Sequence, residues 1–253
     1  GATPDDNSDD TDAIQKAIDS GKTTVCLPRG TLVIDGTLRV RGAVRRLVGT
    51  EATLRGKGRI IVEDGVSPVV VFERFRISYS PIEIEQATAR TLVLSSAIIH
   101  TYSGSRGDCF IEDVCGGPFV FKGQNVWARQ LNAEPQATKV LNDGGRLWIL
   151  GLKTERGGTL VDTVGGGRSE VLGGFAYATS KPKVEPMFSV ADGCMLSVTI
   201  GEACFNGNPF QVLVRQSRNS ETKELKRGQT PGRQIGSAIP LFSTEMVPTK
   251  ERG

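Results

Sequence analysis

The chain has 253 residues with 31 Gly, 12 Pro and only 6% aromatics, so turns are frequent and the core must come mainly from Val, Ile and Leu. Its net charge of +3 is spread over well-mixed signs, far from the dense Lys/Arg patch of a nucleic-acid binder. No apolar run approaches the roughly 20 residues of a helical membrane span. No signal peptide is present, and the abrupt opening GATPDD reads as that of a processed or trimmed product.

In chain order, the first expected element is a helix in DDTDAIQKAIDSG. Ala13, Ile14, Ala17 and Ile18 fall on one face, Asp10 or Thr11 can cap the start, and Gly21 suits the stop. Everything after it reads as short strands. TTVCLP, RRLVG, RIIVE, PVVVFE, RTLVLSS, CFIEDV, NVWARQL, RLWILGL and MLSVTI are rich in β-branched residues and punctuated by Gly. The polar stretch 216–236 reads as a long loop or hairpin before a last apolar segment, SAIPLF. The five cysteines include no CxxC pair, and the lone His100 cannot complete a zinc set. Buried small apolar side chains are the expected role, with a Cys194–Cys204 disulfide as the alternative.

One rhythm recurs. NVWARQLNAE at 125–134 is answered by RLWILGLKTE at 146–155, which sets Trp127 over Trp148, Leu131 over Leu152 and Glu134 over Glu155. Further coils begin near Arg168 and Cys194, and GDCFIEDVCG fits as an earlier one. A period of this length in strands with Gly turns means a stacked solenoid, and its open sheet ends need covers, so the helix is expected to cap the stack. The expected fold is all-β: a single-stranded parallel β-helix forming one domain. Within 1–253, residues 1–21 form the loop and capping helix, 22–215 the coils, and 216–253 the C-terminal loop and last strand.

The opening GATPDDNSDDTDAIQKAIDSG…TTVCLPRGTLVI resembles the start of the pectate-lyase-like superfamily of right-handed parallel β-helices. That start is a Gly-Ala-x-Gly-Asp-Gly-x-x-Asp-Asp-Thr loop, a capping helix and a "v-LP-G-Y" strand. Here Pro4, Asp6 and Ser8 replace the usual loop glycines. The resemblance implies a right-handed helix, export to a secreted, cell-surface or periplasmic location, and a polysaccharide partner. It does not imply one reaction, because the superfamily holds lyases, hydrolases, tailspikes and surface proteins. Elongated solenoids also trimerise, so a monomer or a trimer is expected. The Asn-Thr-Asp, Asp-Asp, Gly-His-Gly and Arg-Ile-Lys set of the polygalacturonase-like members is missing.

Candidate chemistry lies in the ladders. Glu134 and Glu155 on equivalent rungs, with Asn132 and Lys153 before them and Tyr177 next, suit two-carboxylate hydrolysis or a plain surface ladder. Elimination next to a uronate carboxyl needs a base and a cation, which Arg129, Lys153 and Arg156 can supply, with Tyr102 or Tyr177 as proton donor. Trp127 and Trp148 suit a sugar-stacking platform or a buried aromatic stack, and strand alternation does not decide between them. Asp5, Asn7 and Asp9 have the alternate spacing of a calcium loop. Asp10 stands at its glycine position and Lys16 at its final Glu, so calcium is possible and helix capping is the simpler use of the acids. The glycines of TVGGGRSEVLGG fit turns between coils better than a phosphate loop. The reading is a polysaccharide-cleaving β-helix, with a non-catalytic glycan-binding or surface-structural β-helix as the alternative.

Overall fold

The structure, a computed structural model, describes residues 1–78, 80–182, 185–233 and 236–244. It is a parallel β-solenoid of about nine turns with one short helix. One coil shows the construction. Along Asn125–Ala133, Val126 and Ala128 point inward, at 0% and 4% exposure, while Trp127 and Arg129 point outward. The alternation then breaks. Gln130 adopts a left-handed backbone (φ 54°), two successive side chains face out, and Leu131 is inside again at 1% exposure. The strand is therefore two straight segments joined by a one-residue bend.

The same bend recurs on each neighbouring rung: Glu51, Arg74, Ser96, Asp113, Gln130, Gly151 and Gly173 all have positive φ. Left-handed backbone costs most residues roughly 1–2 kcal/mol and glycine almost nothing. Only the last two rungs use glycine, so the earlier ones hold a strained residue in place through the stack. A short strand closes each coil, as Val140–Asp143 does after Asn125–Ala133. The long, bent strands form one sheet and the short strands a second sheet.

Between the sheets, like residues stack. Leu47, Phe72, Leu94, Ile111, Ala128, Ile149, Val171 and Val198 form one continuous inner ladder, each under 5% exposed. Leu131 and Leu152 stack inside as the repeat implies. The last long parallel strand aligns Met195, not Cys194, with Arg168. The 27-residue spacing is longer because the preceding connection is longer.

Buried polar groups serve the backbone. Lys139 is fully buried, and its ammonium donates to the carbonyls of Pro135, Glu155 (3.0 Å) and Gly157 (2.9 Å). Arg90 likewise donates to the carbonyls of Val44, Glu63 and Ser67. Tyr102 is also fully buried and donates to Gln86 (2.6 Å), so it cannot reach a substrate outside the solenoid.

Both ends of the stack are covered. The helix Thr11–Ile18 lays Ile14 and Ile18 on the first coil. Gln15 accepts from the Arg39 amide (2.8 Å) and donates to its carbonyl (3.2 Å), so a side chain pairs the open sheet edge. Asp10 occupies the N-cap position but makes no capping bond. Its carboxylate takes the Thr3 and Val33 amides instead. At the other end, the stretch from 216 contains a hairpin, with Glu221–Lys226 antiparallel to Val212–Arg218. Asn219 and Ser220 both have positive φ in its two-residue turn. Gly236–Ser243, which holds the expected apolar segment, runs antiparallel to Met195–Ala203. All five cysteines are free thiols, which removes the Cys194–Cys204 disulfide. Cys109, Cys194 and Cys204 are buried, Cys115 is half-buried and Cys26 is exposed.

Candidate functional site

The bend decides what lies near what. On the outside it forms a groove of about 430 Å³. Glu51, Ser96, Asp113 and Gln130 line its rim, Phe75, Ala97 and Val114 its floor, and Arg76 and Asn132 its far wall. These residues come from five consecutive long strands. Four rung spacings of about 4.7–4.9 Å make the groove about 19 Å long, parallel to the solenoid axis.

The expected site residues fall on the two sides of this bend. Trp127, Arg129 and Trp148 precede it, while Glu134, Lys153, Glu155 and Tyr177 follow it, with Arg156 just beyond. The structure therefore does not gather them into one centre. Arg129 is engaged by Glu112 on the first face.

On the second face the repeat makes a real cluster. The Lys153 ammonium lies 2.7 Å from both Glu134 and Glu155, and Asn132 donates to Glu134 at 2.9 Å. Tyr177 stands one rung beyond Glu155, and Phe175 one rung beyond Lys153. Tyr177 meets Phe205 edge-on at 5.5 Å. Burial alone would raise the Glu134 pKa, but the bonds from Lys153 and Asn132 outweigh it and hold the carboxyl below its usual value. Burial lowers Lys153, and its two carboxylate partners outweigh that and raise it. A general acid must keep its proton near neutral pH, and a general base must be free of one. Glu134 is therefore tuned away from the acid role and Lys153 from the base role.

The two tryptophans point outward, not into the core. Phe110, which the sequence pattern did not single out, extends their stack. Phe110 and Trp127 are 4.7 Å apart and 12° from parallel, and Trp127 and Trp148 are 5.3 Å apart and 8° from parallel. Each ring covers its neighbour's face, so the stack presents ring edges to solvent. A pyranose seeks a ring face, and a row of free faces is not on offer here.

Asn132 joins the groove to the ionic cluster. Its amide nitrogen donates to Glu134 and lies 3.2 Å from the Cys115 sulfur. Its amide oxygen Oδ1 is buried and has no hydrogen-bond partner. Such an atom costs about 1–3 kcal/mol unless a donor arrives. The acids of the opening loop are already engaged: Asp5 takes the Thr31 amide, and Asp9 takes Thr11 and the Asp35 amide. Asn7 takes the Arg55 guanidinium.

The groove residues had a sequence signal that alternation alone misses. Glu73-Arg74, Ser95-Ser96, Glu112-Asp113 and Arg129-Gln130 are polar doublets in the middle of otherwise alternating strands. Each doublet ends on a bend residue. No family model, curated protein or solved structure matches the chain.

Proposed function

We propose that the chain is a glycan-binding β-helix that holds a polysaccharide along the groove outside its bend. The observation that carries this reading is the elongated groove itself, about 430 Å³ along five rungs, with amide, hydroxyl and carboxylate side chains on its rim and wall. Those groups suit sugar hydroxyls, and the apolar floor suits the C–H faces of sugar rings. The groove's carboxylates are Glu51, which pairs with Arg74, and Asp113, against the guanidinium of Arg76, so no excess of positive charge draws a polyuronate and a neutral glycan is favoured. The resemblance of residues 1–34 to the pectate-lyase-like opening supports a polysaccharide partner.

Cleavage by Glu134 and Glu155 is the second reading, favoured by the placement of both carboxylates on one lysine. The lowered Glu134 pKa removes that carboxyl as the acid, and Lys153 ties up both carboxylates at 2.7 Å, which supports binding over cleavage. Affinity electrophoresis through neutral glucans, xylans, mannans and polyuronates tests the reading, with reducing ends and unsaturated-sugar absorbance followed in the same samples. Retention on a neutral glycan is expected, weakened by Asn132→Ala and unchanged by Trp127→Ala, without new ends. New reducing ends that vanish in Glu134→Gln would establish the cleaving reading instead. Absence of retention on every polymer would end both.

A further inference from the structure

The ladder that forms the groove's far wall does not stop at Asn132. Asn132, Lys153 and Phe175 stand in register on consecutive rungs, all on the outward side. The bend residues of the last two of these rungs are Gly151 and Gly173, so the rim carries no side chain there. Phe175 is 47% exposed. Phe110 and Phe205 are exposed too, but each meets another ring. Phe175 meets none among the described residues.

The rung after Phe175 is bare. Gly201 pairs with Phe175 on one side and with Ala238 on the other. It lies inside the strand Met195–Ala203, where a glycine weakens the sheet. Neither backbone nor packing requires it. Its φ lies outside the left-handed region, and a Cβ there would meet only the Gly174 carbonyl oxygen, at 3.9 Å. Gly174 differs, because a Cβ there would come within 2.6 Å of the Leu152 carbonyl oxygen. A strand glycine without such a cause often marks the close approach of a ligand. Phe175 and Ala238 are two rungs apart, about 9.5 Å. A ring needs about 3.5–4.0 Å to the atoms on either side, so one ring fits between them above the Gly201 backbone.

We propose that a neutral glycan lying along the groove places one further pyranose ring on Phe175, over Gly201. This subsite rests on the glycan reading and extends its binding path by two rungs, about 9.5 Å beyond Asn132. It supplies the open ring face that the tryptophan stack lacks. The apolar C–H face of the sugar covers the Phe175 ring, and its hydroxyls lie at the edge of the slot. Tyr177 stands two positions along the same outward side of the strand. Its hydroxyl accepts from Asn206 at 3.4 Å, which leaves its own proton for a sugar hydroxyl. Lys153, the cation one rung before Phe175, is taken up by Glu134 and Glu155, so it does not select for a uronate.

Titration calorimetry of the full chain with neutral gluco-, xylo- and manno-oligosaccharides of increasing length tests the proposal. Affinity is expected to climb with length until the oligosaccharide covers both the groove and Phe175. Phe175→Ala should weaken binding of the longest one by about tenfold. Gly201→Leu fills the slot while leaving Phe175 in place, and should weaken it by a similar factor. Both variants should keep the parent's circular dichroism, because Phe175 is half exposed and a Cβ at Gly201 has room. Binding by the parent that either variant leaves unchanged would overturn the subsite and leave the groove reading standing. Loss in both variants with full binding by Asn132→Ala would detach Phe175 from the groove and overturn the continuous path. A parent chain that binds no oligosaccharide would end both readings.

Discussion

Replacing Lys139 with Met removes a charge from the interior while keeping nearly the same shape. Lys139 has no exposed surface, and its three protons are directed at the carbonyls of Pro135, Glu155 and Gly157. Burial pushes its pKa down to about 8, with Arg156 acting in the same direction, so at pH 7 the ammonium keeps the proton it needs for three bonds. Met leaves three carbonyls without this donor, at about 1–3 kcal/mol each. It also avoids burying an ammonium, which recovers several kcal/mol. The net expectation is a loss of about 2–4 kcal/mol, combining those two opposing ranges. Solenoids can unfold coil by coil, so the loss should be read locally. The amides of Lys139 and Val140 donate to Thr159 (2.9 Å) and Leu160 (3.1 Å), and their hydrogen exchange reports this coil. Exchange in Lys139→Met that is as slow as in the parent chain would refute the idea that the ammonium ties these loops together.

Further outcomes follow from the bend, the ionic cluster and the thiols. Gln130→Val should cost about 1–2 kcal/mol, because a β-branched residue resists positive φ, while Gln130→Gly stays within about 1 kcal/mol of the parent; thermal unfolding of both variants checks this. The Glu134 pKa is depressed in the fold, so its contribution is present above about pH 4.5 and is lost as pH falls through the lowered value. With both partners partly exposed, the bridge is worth no more than about 1 kcal/mol. In Lys153→Met the burial that raises Glu134 loses its main opponent, so a carboxyl titration by NMR should find a higher pKa than in the parent. Native alkylation should label Cys26 first. It should spare Cys109, which burial pushes to about 12, until the chain unfolds.

The stacking was legible because Trp127/Trp148 and Leu131/Leu152 repeat one coil's chemistry on the next, and parallel pairing in register preserves it. The capping helix was legible from its amphipathic spacing. The direction of the tryptophans was not, because a period of two fails when a left-handed residue sits in mid-strand. Leu131 lies two positions after Arg129 and yet faces the opposite way. The candidate residues share rungs, but rung position places a residue along the axis and leaves open which side of the coil it occupies. That is why one expected site became two faces.

The groove account is tested most directly by adding soluble neutral oligosaccharides to labelled protein and following side-chain signals by NMR. The account predicts saturable shifts of the Asn132 and Gln130 side-chain amides while the Trp127 and Trp148 indole N–H signals stay in place. Indole shifts with silent amides, or no shift with any oligosaccharide, would contradict it.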